Sequence, residues 1–151
     1  MTREKNKLAA DIQKNTAMLG QNSLNVILPD PLLEFTRNHE VRPTIVFRSE
    51  YMGDGNPVLG DQLMAEFLQA LLAHHEPPQA MLFYNSAIHL TLDDSLVLEP
   101  LRQLAARGSE ILVCHTSLQM LVPECTPAVG RAAGMIDLTE RMRQARLLLW
   151  P

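Results

Sequence analysis

Thr44-Ile45-Val46-Phe47-Arg48-Ser49-Glu50-Tyr51-Met52-Gly53-Asp54-Gly55-Asn56-Pro57 is the stretch on which the reading of this chain turns. Its first four residues are an unbroken β-branched and aromatic run, the composition of a strand buried on both faces. Polar Ser49-Glu50 ends the run, and Gly53, Gly55 and Pro57 punctuate a loop. Beyond it Leu59, Leu63, Phe67 and Leu71, with Met64, Leu68 and Leu72, recur at helical spacing as far as His74-His75 and the Pro77-Pro78 stop. The stretch predicts a strand, a glycine loop and a helix.

The unit recurs downstream. Ala80-Met81-Leu82-Phe83-Tyr84 predicts a second strand that ends in Asn85-Ser86. Asp93-Asp94-Ser95 predicts the cap of a helix whose apolar face holds Leu96, Leu98, Leu101 and Leu104, closed by Gly108. Ile111-Leu112-Val113-Cys114 predicts the third strand, followed by the turn-like His115-Thr116-Ser117 and an irregular stretch with Pro123 and Pro127. A short strand near 132–135, a helix over 139–144 and a last strand over 146–150 complete the pattern. Strands that alternate with helices pair in parallel through right-handed crossovers. The expected fold class is α/β: a single domain over residues 41–151, its mostly parallel sheet of about five strands flanked by helices on both faces. Ligands and reactive side chains of such a sheet gather beyond the carboxyl ends of its strands.

Residues 1–40 read as a separate segment. The three lysines, Lys5, Lys7 and Lys14, are confined to it, and every later basic residue is arginine. With its asparagines and the Pro29-Asp30-Pro31 breaker, the segment predicts a poorly ordered or partly helical extension. A formal charge of −4 offers no basic stripe for a nucleic-acid backbone. No apolar run approaches the roughly 20 residues of a membrane span. Cys114 and Cys125 are too few and too far apart for a zinc ribbon or a disulfide framework. The expectation is a cytoplasmic protein with neither a nucleic-acid nor a membrane partner.

The predicted carboxyl-end loops collect Ser49, Gly53, Asp54, Gly55, Asn85, Ser86, His89, Cys114, His115, Thr116 and Ser117. Cys114 is the candidate reactive group, because a thiolate is the nucleophile of sulfur chemistry and helix amides or a cation nearby favour it. Thr116 and Ser117 are expected to cap a short helix through Leu121 and to aim backbone amides at the sulfur. Read from the residues alone, Cys114 fits a small buried hydrophobe equally well. His115 need not touch it, since adjacent side chains near a strand end diverge. His74 and His75 read as partners of their own helix's terminal carbonyls. No histidine pair has metal-ligand spacing, so neither a metal nor a cofactor is expected. Gly53-Asp54-Gly55 lacks both the lysine of a Walker loop and a dinucleotide fingerprint, which leaves a tight positive-φ turn as its reading.

In combination these segments resemble a known family. Phe47-Arg48-Ser49-Glu50-Tyr51-Met52-Gly53-Asp54-Gly55, Leu59-Gly60, Phe83-Tyr84-Asn85-Ser86, Leu90-Thr91 and Glu110-Ile111-Leu112-Val113-Cys114 together resemble the DsrE-like domain. The likeness is strongest to the carboxyl-terminal domain of YedF-type, sulfurtransferase-like proteins of selenium metabolism, and covers about residues 43–150. It implies a parallel α/β sandwich and a persulfide-carrying cysteine at a strand end, the position of Cys114. It also implies homo-oligomers, dimeric or trimeric, and a sulfur-relay protein partner. Gly53, Asp54, Gly55, Asn85, Ser86, His115, Thr116 and Ser117 would then surround the thiol. Where relatives read Cys-Gly-Thr-Cys-Leu-Asp-Phe-Tyr, this chain reads Cys114-His115-Thr116-Ser117-Leu118-Gln119-Met120-Leu121. The second cysteine has become Ser117, and a lone thiol cannot close a disulfide or resolve a persulfide within its own motif. Residues 1–40 contain no cysteine, so the Cys-Pro motif of the TusA-like domain found in YedF-type proteins is missing there. The drift at His115, Ser117 and Leu121 favours an alternative, a non-catalytic interaction or small-ligand-binding module on the same fold.

Overall fold

The computed structural model describes residues 41–151, and the expectation of an amino-terminal extension over 1–40 lies outside them. Five strands form one sheet: β1 (Thr44–Phe47), β2 (Ala80–Phe83), β3 (Glu110–Cys114), β4 (Arg131–Ala133) and β5 (Leu148–Leu149). Their spatial order is β4-β3-β2-β1-β5, and every pairing is parallel. The α/β class and the strand count are as the sequence predicts.

Side chains alternate across the sheet, and the two faces are covered unequally. Ile45, Phe47, Met81, Phe83, Ile111 and Val113 point to one face. They meet α1 (Pro57–Ala73), a 3₁₀ helix (Asn85–Thr91), α2 (Leu98–Ala106) and α3 (His115–Leu121). Stacking of Phe47 on Phe83, with ring centroids 4.5 Å apart, anchors this larger core. Val46, Ala80, Leu82, Leu112, Cys114 and Ala133 point to the other face, which Leu138 of α4 (Met135–Gln144) covers. The crossovers through α1, α2 and α3 step in one direction from β1 to β4. The α4 crossover returns the chain to β5 beside β1.

Several boundaries differ from the sequence reading. Helix α1 starts at Pro57, which lacks the N–H a first turn leaves unpaired, and Asn56 Oδ1 accepts the N–H groups of Val58 and Leu59. It buries Gly60, Met64, Leu68 and Leu71, whereas Leu59 and Leu63 lie on its exposed flank. Ser95 caps only a turn, by accepting the Val97 N–H, so α2 begins at Leu98 and Leu96 is 95 % exposed. The 3₁₀ helix that intervenes has no helical apolar period, yet it buries Ala87, Ile88, Leu90 and Thr91. The short strand sits at Arg131–Ala133, one residue earlier than expected, and α4 starts at Met135 rather than at residue 139. The last strand is shorter than its apolar run, only Leu148 and Leu149 pairing with β1. The carbonyls that end α1 are held by Arg107, not by His74 or His75: its guanidinium donates to the carbonyl oxygens of Leu72, His74 and His75.

Candidate functional site

The loops that leave β1, β2 and β3 at their carboxyl ends are tied to one another by backbone donors. The Asn85 N–H donates to Ser117 Oγ at 2.9 Å, joining the exit of β2 to α3. The Glu50 N–H donates to Ser86 Oγ at 3.4 Å, joining the exit of β1 to that of β2. Asn85 holds φ +54°, a left-handed conformation open to asparagine but costly to most residues. Asn85, Ser86 and Ser117 are thus brought together, and their work in this structure is to fix three strand exits against one another.

Cys114 is the last residue of β3 and the N-cap of α3. Helix α3 therefore begins at His115, one residue before the first of the expected caps, and the Ser117 hydroxyl is engaged by Asn85 instead. His115 and Thr116 are exposed. The Cys114 side chain is turned away from α3's packing face: Leu118 of α3 belongs to the larger core, whereas Cys114 packs with Leu82, Leu112, Ala133 and Leu138 beneath α4. It is 2 % exposed. Cys125 is exposed, and both thiols are free.

Strand register shows which side chains share Cys114's level. The pairs Val46–Leu82–Leu112–Arg131 form one row across the sheet. Two residues further along β3 and β4, the next pair on the same face is Cys114 with Ala133, and Tyr84 follows directly on the Phe83–Val113 pair. Tyr84 is extended, its N–H donates to the Phe47 carbonyl, and it packs against the cluster that contains Cys114. Arg48 is about half exposed, with Nη2 3.5 Å from Oδ1 of Asp54. The sequence reading took Tyr84 as the last residue of the second strand, whereas β2 ends at Phe83 and Tyr84 packs against the cluster that contains the thiol.

Gly53, Asp54 and Gly55 lie apart from this row's buried part. Gly53 has φ +77° and open space about it, Gly55 also has room, and Asp54 is almost wholly exposed. The close approach in this loop is at Gly60, where a Cβ would sit 3.0 Å from the Met52 carbonyl oxygen and from Tyr51 Cβ. The Met52 N–H donates to the Gly60 carbonyl at 3.0 Å, so the loop folds back on α1.

Two clefts flank the 3₁₀ helix on the larger-core side. One of about 280 Å³ is lined by Glu50, Asp61, His89 and Asp94 among others. A second of about 550 Å³ is lined by His89, Asp93, Asp94, Glu124 and Cys125 among others. Cys114 lines neither. Among the described residues, no group of three histidine, cysteine or carboxylate side chains is arranged to hold a metal ion, and no helix is long and apolar enough to cross a membrane.

No family model and no curated protein matches this sequence. Among solved structures, the chain is similar to the YchN protein of E. coli, with a TM-score of 0.55 and 12 % identity over 73 % of this chain and 99 % of YchN. At that identity the likeness concerns the fold alone. It supports a DsrE-like fold for residues 41–151 without singling out the YedF type.

Proposed function

We propose that this protein handles sulfane sulfur on its DsrE-like scaffold, with Cys114 accepting the sulfur and passing it to a partner thiol. The observation that carries this reading is the thiol's position, at the carboxyl end of an interior parallel strand, where three strand exits are hydrogen-bonded together. In the transfer, the Cys114 thiolate attacks the outer sulfur of a donor persulfide. The donor's S–S bond breaks, its electron pair leaves on the donor thiolate, and a new S–S bond forms on Cys114. No external oxidant or reductant is consumed, and the same exchange in reverse delivers the sulfur. Asn85, Ser86 and Ser117 fix the backbone around the thiol. Gly53, Asp54, Gly55, His115 and Thr116 form the exposed rim that a partner would meet. A cytoplasmic sulfur-relay protein as partner, assembly into a homo-oligomer, and selenium as alternative cargo belong to the same proposal.

A second reading is favoured by the 2 % exposure of Cys114 and by its absence from both clefts. In it the residue is a core thiol, and the protein is a binding module on the same fold. Incubating the native chain with a persulfide donor separates the two. The sulfur-handling reading expects the mass of one sulfur on Cys114 and its loss in Cys114→Ser. A Cys114 that stays unmodified until the protein is unfolded establishes the binding module.

A further inference from the structure

We infer that α4 is a lid: α4 and the short strand β5 that follows it come away together from the second face of the sheet, hinged at Gly134, and bare Cys114 while the larger core stays closed. The opening belongs to α4 itself; its meaning as control of a sulfur site rests on the proposed function. Val113 and Cys114 are neighbours on β3 and both buried, yet their covers differ. Val113 lies in the larger core, whereas Cys114 lies in the cluster that Leu138 of α4 closes. On the larger-core face α2 buries four of its nine residues; α4 buries one of its ten, Leu138, with Met142 half-buried one turn on. A helix is held to a sheet mainly by the apolar area it buries, so α4 is held far less firmly than α2. The strands on either side of it are short as well, three residues in β4 and two in β5, on opposite sheet edges.

Polar contacts repeat the pattern. Among the described residues, α4 is tied to the sheet by the hydrogen bonds of Arg141 to Glu110, the first residue of β3. Both side chains are about one-third exposed, and ion pairs that open to water are weak. The other side-chain hydrogen bonds of α4 run within it or to Gly134: Thr139 to the Met135 and Ile136 carbonyls, Arg143 and Gln144 to Glu140, and the Gly134 N–H to Asp137. The helix thus keeps its own bonds when it leaves. Gly134 is extended at its start, and a Cβ there would meet only the Asp137 carboxylate at 3.9 Å, which leaves the hinge room to turn. Elements with little buried apolar area open at lower free energy than the whole domain.

The test reads the rate at which N-ethylmaleimide labels single thiols in the folded full chain. One variant carries Cys125→Ser and keeps Cys114; the other carries Val113→Cys, Cys114→Ser and Cys125→Ser. Each rate is compared with that variant's own unfolding equilibrium in urea. Cys114 should label roughly tenfold or more faster than global unfolding allows, with a shallow urea dependence, while the thiol at position 113 should follow global unfolding. Glu110→Gln should speed Cys114 labelling by about two- to fivefold, the scale of one partly exposed ion pair. Hydrogen exchange of the unaltered chain should show α4 amides less protected than those of α2. Labelling of Cys114 that follows global unfolding, a rate unchanged by Glu110→Gln, or equal protection of α4 and α2 overturns the lid. Lid-dependent labelling without loading by a persulfide donor keeps the lid and removes the proposed function. Loading that Glu110→Gln leaves unchanged does the reverse.

Discussion

The backbone N–H of Asn85 donates to the hydroxyl of Ser117 at 2.9 Å, so Ser117 is a clamp between the exit of β2 and α3. Ser117→Ala should cost about 1 kcal/mol in urea unfolding, the scale of one partly exposed hydrogen bond. An unchanged midpoint and slope would show that the clamp contributes nothing.

Asn85 pays for its place with a left-handed backbone at φ +54°. Asn85→Gly should be neutral or slightly stabilising, and Asn85→Ala should lose about 1 kcal/mol, because only the first relieves the conformation. Equal stability of the two variants would contradict the strain.

Gly130 and Gly53 both hold positive φ, yet their surroundings differ. A Cβ on Gly130 would stand 2.6 Å from the Ile111 carbonyl oxygen and closer still to the Ile111 side chain, whereas one on Gly53 meets nothing within 4 Å. Gly130→Ala should therefore cost about 3 kcal/mol and Gly53→Ala about 1 kcal/mol, both read from thermal unfolding. The reverse ranking would be incompatible with the packing of β3 against the loop before β4.

Glu110 accepts hydrogen bonds from Arg141 and Arg131 on the face that α4 covers. The Arg141 hydrogen bond is the main reason its carboxyl is held below the ordinary value of 4.5; partial burial opposes it, and the Arg141 charge and Arg131 add to it. A depressed carboxylate stabilises the fold fully above its unfolded-state value, and the contribution disappears as pH falls through the folded-state value. Stability should therefore decline as pH drops below about 4.5, and Glu110→Gln should flatten that decline. An equally steep acid limb in the variant would assign the decline to other groups.

The fold was legible because its strands are short apolar runs with polar ends, a pattern that Thr44 to Phe47 and Ala80 to Phe83 display without interference. Helix faces were less legible. Leu59 and Leu63 satisfy the period of α1, but the turn in which Asn56 caps the helix and Gly60 backs onto Met52 sets which side meets the sheet. The 3₁₀ helix left no periodic trace, since its four buried residues are packed by tertiary contact. At the site, Cys114, Asn85, Ser86 and Ser117 could be named from their place after strands. That Ser117 would serve Asn85 depends on the register between strands. A single run of sequence does not encode that register.

The two thiols offer the most direct test of Cys114 as the sulfur acceptor, because exposure and reactivity toward sulfane sulfur should rank them oppositely. The native full chain is treated briefly with N-ethylmaleimide or, in parallel, with a persulfide donor, and each adduct is located by peptide mass. Maleimide should mark exposed Cys125 first, while sulfur should accumulate on buried Cys114 and be absent from Cys114→Ser. Sulfur found on Cys125 alone, or on Cys114 only after unfolding, would contradict a carrier role for Cys114.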